Sequence, residues 1–151
     1  MPSRARLDEF IAVVESGDHA GAIERYYTED ASMQENAAPP RIGRDLLVAH
    51  ERGVLARMSH VYSKAMSSVV EGDRVAIHWI FELTDKSGQV LRVDEVALQE
   101  WRGDKIFRER FFYDPSRPKM RHPANTVIAS EAKQSMPTEQ SWIASSLRSS
   151  Q

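Results

Sequence analysis

Three glutamates interrupt otherwise apolar strand faces. Glu35 follows Ala31 and Met33 at alternate positions, Glu95 stands between Val93 and Ala97, and Glu109 between Phe107 and Phe111. Side chains two apart on a strand share a face, so each carboxyl is directed where its neighbours are buried. Burial disfavours the charged form and moves a carboxyl pKa up toward neutrality, where a general acid or base is most useful. Blander readings stand beside these. Glu35 could lie at the strand's end in solvent, and Glu109 could pair with an arginine across the sheet. For Glu95 the inward face is itself ambiguous, because apolar residues occur at both parities between Val90 and Trp101; facing inward, it would contact a ligand.

His50 falls on the apolar side of a helical stretch, between Leu47 and Val54. Imidazole is the side chain whose unperturbed pKa lies nearest neutrality, and a carboxylate such as Glu35 beside it would fix its tautomer. Glu35, His50 and Glu109 are therefore the candidate catalytic set, although a histidine in this place serves equally well as a hydrogen-bonded core residue. Tyr27, Trp79, Phe111 and Tyr113 could line an apolar cavity together with Glu95, the two phenols holding a ligand oxygen; a plain core would use the same aromatics. His19, His60, His78 and His122 have no metal-ligand spacing. His50-Glu51 begins like H-E-x-x-H but lacks the histidine at the fifth position. Neither a P-loop nor G-x-G-x-x-G occurs among the seven glycines. The expected chemistry uses no metal and no cofactor.

The elements that must hold these groups can be read from periodicity. Leu7, Phe10, Ile11 and Val14 make a helical stripe stopped by Gly17, and Asp18 can cap a second helix carrying Ala22, Ile23, Tyr26 and Tyr27 and ending near Asp30. Ala31 to Asn36 alternates as a short strand. Pro39 and Pro40 break the chain, and after Gly43 a third helix has Leu46, Leu47, His50, Val54, Leu55 and Met58 largely on one face. From His60 onward, turns at Glu71-Gly72-Asp73, Asp85-Lys86-Ser87-Gly88 and Arg102-Gly103-Asp104 separate four strands of an antiparallel meander. Phe107, Glu109, Phe111 and Tyr113 are expected on one face of the last strand. Helices followed by a meander give an α+β class, with helices on one face of the sheet.

Composition narrows the partners. In 151 residues, 20 Lys+Arg against 22 Asp+Glu leave a net charge of -2, so no strong field attracts nucleic acid or an anionic membrane. The absence of cysteine excludes a thiolate nucleophile and a disulfide framework. Met1–Phe10 has charges where a signal peptide requires an apolar stretch, and no apolar run reaches a membrane span, so a cytoplasmic protein is expected. Residues 1–118 form the expected domain; 119–151 turn serine-rich and lose periodicity, and are expected to be a low-complexity, disordered extension, the alternative being a short docking helix around Trp142, Ile143 and Leu147.

The order helix, Gly17-Asp18, helix, Tyr26-Tyr27-Thr28-Glu29-Asp30-Ala31, short strand, Pro39-Pro40 and Gly43 resembles the nuclear-transport-factor-2-like, or SnoaL-like, superfamily. Its closing strand is similar to Asp104-Lys105-Ile106-Phe107-Arg108-Glu109-Arg110-Phe111-Phe112-Tyr113-Asp114, and the likeness covers about residues 5–115. It implies three N-terminal helices in the concave face of a strongly curved, mostly antiparallel sheet, a pocket at the open end, and commonly a homodimer. Apolar Val96 and Leu98, on the face opposite Val93 and Ala97, agree with a covered outer surface.

The superfamily hosts isomerases, cyclases, a dehydratase, an epoxide hydrolase and modules without chemistry, so the fold alone selects no activity. In its ketosteroid isomerases the base is an aspartate at the position of Glu35, but Phe10 and Ala97 stand where the oxyanion donors should be, which argues against steroid isomerisation. Arg92-Val93-Asp94 is superficially similar to the epoxide hydrolases' Arg-x-Asp pair, with Phe111 where their closing-strand aspartate belongs. Two expectations follow: a small-molecule acid/base enzyme with Glu35 as general base, or a non-catalytic module binding a small ligand or a protein.

Overall fold

The computed structural model describes residues 1–116 and the backbone of 119–121. Helix α1 (Arg4–Glu15) buries Leu7, Phe10 and Val14, and Ser3 caps it by accepting the Arg6 amide at 3.1 Å. After Gly17 at φ 88°, α2 (His19–Tyr26) starts under Asp18, whose carboxylate accepts the Gly21 amide at 3.0 Å. That carboxylate folds so closely over Gly21 that a Cβ there would lie 2.2 Å from it, so a larger residue would make the Asp18 side chain shift. Strands β1 (Tyr27–Glu35) and β2 (Arg41–Ile42) follow, then α3 (Arg44–Leu55). Strands β3 (Met58–Glu71), β4 (Arg74–Asp85), β5 (Val90–Arg102) and β6 (Lys105–Tyr113) form the expected meander, and β7 (Lys119–Arg121) pairs with β5.

The sheet order is β2-β1-β6-β5-β4-β3. β1 runs parallel to β6, and the other pairings are antiparallel, so the architecture is α+β with a mostly antiparallel sheet, as the sequence implies. Register shifts within β1, β3 and near Glu100/Trp101 bend and twist the strands, letting one sheet face wrap the helices. Between these layers lies the core, built on Leu7, Phe10, Leu47, Val75, Ile77, Trp79, Trp101 and Ile106. Among the described residues no helix is long and apolar enough to cross a membrane.

The structure alters several details. Helix α2 ends at Tyr26, not near Asp30: Tyr27 and Ala31 are both buried at a spacing of four, which looks helical, but an irregularity in the β1 register between Tyr27 and Ser32 produces it. Leu46 is 56% exposed and Met58 opens β3, so neither belongs to the buried stripe of α3. Phe107 leaves the face of Glu109 because the β5–β6 register slips there, with Ile106 and Glu109 both buried; Phe107 packs instead beneath the guanidinium groups of Arg102 and Arg108. Lys119–Arg121 pair with Val90–Arg92 just past the boundary expected at residue 118. The Trp142 region lies outside the described residues.

Candidate active site

Between the helices and the sheet lies a cavity of about 290 Å³. The sheet beneath it is a set of cross-strand rows. Trp79, Glu95 and Tyr113 stand side by side on β4, β5 and β6; the next row holds Ile77, Ala97, Phe111 and Glu35; below it come Val75, Gln99, Glu109 and Met33. All eight residues proposed from sequence, Tyr27, Glu35, His50, Trp79, Glu95, Glu109, Phe111 and Tyr113, line this one cavity. Strand parity brings together the sheet residues, and α3 contributes His50 and Glu51 from the opposite wall.

Glu35 ends β1, where Asn36 turns the chain at φ 46° and pins it to β6: the Asn36 amide donates to the Phe111 carbonyl at 2.8 Å, and its side-chain oxygen accepts the Tyr113 amide at 3.1 Å. The Tyr113 hydroxyl donates to Glu35 Oε2 at 2.7 Å, while Oε1 carries no hydrogen bond among the described residues. Burial, with the Glu35 carboxylate next to it, pushes the Tyr113 phenol well above its ordinary range, so it stays a donor. The Glu35–His50 pairing that the sequence leaves open does not form as a hydrogen bond; Tyr113 takes that place. His50 has its pKa lowered, by burial first and then by Arg41, against smaller opposing effects of Glu51 and Glu35, and so it faces the cavity as a neutral ring.

Glu109 is 2% exposed and has no arginine partner among the described residues. Its contacts form a chain whose direction is fixed at one end. The Trp101 indole can only donate, and it donates to Gln99 Oε1 at 3.0 Å; the Gln99 amide nitrogen must then donate to Glu109 Oε1, at 2.7 Å. The Tyr27 hydroxyl holds Glu109 Oε2. Burial pushes the Glu109 carboxyl up to about 7 despite both hydrogen bonds, and the Tyr27 phenol is raised as well, by burial and by Glu109. We expect Trp101→Phe to strand Gln99 Oε1 without a donor and to cost about 1–3 kcal/mol, seen as a lower urea midpoint at unchanged slope. An unchanged midpoint would mean that the chain contributes nothing.

Glu95 differs from its neighbours. It is 9% exposed, lines the cavity, and receives no hydrogen bond from any described residue. Burial, reinforced by Glu35, Glu109 and Glu51, raises its carboxyl well above the usual carboxylate range.

Sequence reasoning missed two parts of this site. His19, at the start of α2, places Nδ1 3.1 Å from Glu51 and Nε2 2.7 Å from the Ser63 hydroxyl. Both ring nitrogens are engaged, so His19 braces the cavity wall. The only hint was Glu51 following His50 in the sequence. Gln99 was also missed, although it shares the parity of Glu95, Ala97 and Trp101 and is fully buried. Among the described residues no cluster of potential ligands is arranged to hold a metal ion.

Comparison with known proteins places this geometry in context. The profile of a family described as SnoaL-like domain matches residues 7–109. Among curated proteins no sequence match is found. A SnoaL-like, polyketide-cyclase-like protein from Mesorhizobium loti superposes with TM-score 0.63 at 26% identity, covering 75% of this chain and 100% of its own. A Catenulispora acidiphila protein of ketosteroid isomerase-like fold, in complex with trimethylamine, gives 0.63 at 17% identity over 74% of this chain and 86% of its own. An epoxide hydrolase from M. tuberculosis gives 0.62 at 13% identity over 73% and 80%.

Proposed function

We propose that this chain, which belongs to the SnoaL-like domain family, carries out cofactor-independent proton transfer on a small, mostly apolar, oxygen-bearing molecule, with Glu35 as general base. One observation carries the reading: Glu35 keeps a carboxylate oxygen unbonded by any described residue at a largely apolar cavity while Tyr113 fixes the other. An oriented base in a cavity that excludes most water can take a proton from carbon or from a water molecule beside the ligand oxygen. The proton that must be returned has a source on β6, the strand paired beside β1. When Glu109 is protonated it donates to the Tyr27 oxygen, since Gln99 already occupies its other oxygen, and the phenol hydrogen is released toward the cavity. His50, neutral and on the opposite wall, is the second candidate for that role. Isomerase, dehydratase, cyclase and hydrolase reactions all include such a removal and return, a dehydratase also expelling water and a hydrolase adding it.

The test is an NMR screen in D2O of small epoxides, hydroxy-ketones and lactones. Exchange of a carbon-bound hydrogen, ring opening or elimination above the protein-free rate supports the reading; silence across all three classes counts against it. The missing hydrogen bond between Glu35 and His50 favours the alternative, a non-catalytic binding module, in which ligands shift Tm without being converted.

A homodimer belongs to the same proposal. On the sheet face opposite the cavity, Val96, Leu98 and Phe112 are each 41% exposed at adjacent register positions, an apolar patch that a second copy would cover. Light scattering at the mass of one chain would remove this part and leave the chemistry standing.

A further inference from the structure

Buried polar groups are as a rule hydrogen-bonded, and an exception needs a reason. In this cavity Glu109 is held by Tyr27 and Gln99, Glu35 by Tyr113, and Glu51 by His19. Glu95 alone among these glutamates is nine-tenths buried, opens onto the cavity and has no partner among the described residues. Whatever satisfies it must come from within the cavity.

The surroundings restrict what that can be. The charges acting on Glu95 are those of Glu35, Glu109 and Glu51, all repelling a second negative charge. Arg41 and Arg57 also line the cavity, yet they act on His50, and Arg41 on Tyr113, and neither figures among the influences on Glu95. An anion is therefore refused at this spot, and a cation is the ligand that relieves the crowding of carboxyls. The walls define the kind of cation. Glu95 is flanked in register by Trp79 and Tyr113, and the Trp79 indole stacks with Phe81 at 5.4 Å and 29°. Indole and phenol faces attract diffuse positive charge. A primary ammonium offers the rings no alkyl surface, whereas an alkylated nitrogen presents methyl or methylene groups that these rings can cover while its charge faces the carboxyl.

We infer that Glu95, between Trp79 and Tyr113, is the anchoring subsite for a small tertiary or quaternary ammonium group on the ligand. This rests on the cavity being the ligand site, as proposed above, and deepens that reading by naming the substrate class; it does not rest on turnover. On binding, the carboxyl releases its proton to solvent and the carboxylate pairs with the ammonium, so one proton leaves as one positive charge enters.

The test compares choline with its uncharged carbon isostere 3,3-dimethylbutan-1-ol by calorimetry on the full chain. Choline is expected to bind at least tenfold more tightly, and Glu95→Gln, which replaces a neutral acid by an amide of the same shape, to abolish that preference while the alcohol binds as before. A readout needing no variant is proton release: titrations at pH 7 in two buffers of different ionisation enthalpy should show protons released with choline and none with the alcohol. Equal affinities, a preference that survives Glu95→Gln, or no proton release would overturn the inference while the cavity reading stands. If neither compound binds, the ammonium subsite is overturned, and the cavity reading is decided by the NMR screen above.

Discussion

Glutamine in place of Glu35 is expected to lower turnover of any substrate found in the screen by about two to four orders of magnitude, the usual range for a positioned general base, while leaving fold and ligand affinity close to those of the native chain. The substitution is nearly isosteric. The Tyr113 hydroxyl, which donates to Glu35 Oε2 at 2.7 Å, can donate equally to an amide oxygen, and the anchoring of β1 on β6 runs through the backbone and Asn36. What changes is the other position: an oxygen able to accept a proton becomes an NH2 group that cannot. The loss therefore belongs in kcat, with KM and ligand-induced Tm shifts nearly unchanged. Normal turnover in this variant would remove Glu35 as the base and move attention to His50. A collapse of Tm would instead show that the carboxylate holds the end of β1.

Strand parity made much of the cavity lining legible in the sequence, since a side-chain period of two leaves little freedom. Once Ala31 and Met33 are taken as inward, Glu35 must follow, and the same logic delivered Glu109 to the cavity, while for Glu95 parity left both faces open and the structure turns it inward. Parity fails where the ladder slips. Phe107 was assigned to the face of Glu109 because a bulge leaves no trace in the pattern, and Tyr27 was given to a helix because the irregular start of β1 mimics a spacing of four. Partners are less legible than faces. The hydrogen bond that orients Glu35 comes from Tyr113, on a strand 78 residues away, and His50 on the neighbouring helix only shares the cavity. The Trp101–Gln99–Glu109–Tyr27 chain likewise joins residues whose adjacency is created by the β5–β6 register and the parallel β1–β6 pairing, which local periodicity does not encode.

The buried carboxyls also set how stability responds to pH, and the sign is opposite to that of ordinary salt-bridged acids. Glu109 has a carboxyl raised from 4.5 to about 7 in the folded chain, so between those values the folded state keeps a proton that the unfolded state has lost. Stability from this group is complete below the unfolded value and declines as pH rises through the folded one, by roughly 3 kcal/mol in all at 1.36 kcal/mol per unit. Glu95, raised by burial and its acidic neighbours, acts with the same sign. His50 acts against them: its lowered pKa removes stability as pH falls through its ordinary value of 6.5. Tyr27 and Tyr113, both raised, matter only in the alkaline range where phenols ionise. Urea midpoints are thus expected to fall from pH 5 to pH 8. Glu109→Gln should flatten much of that slope, matching the native chain at pH 5 and exceeding it at pH 8. An amide can reproduce the protonated acid, accepting from Gln99 and donating to the Tyr27 oxygen, but has no proton to lose. A native chain more stable at pH 8 than at pH 5, or a glutamine variant with the native slope, would show that Glu109 is ionised in the folded state and that its hydrogen bonds from Tyr27 and Gln99 outweigh its burial.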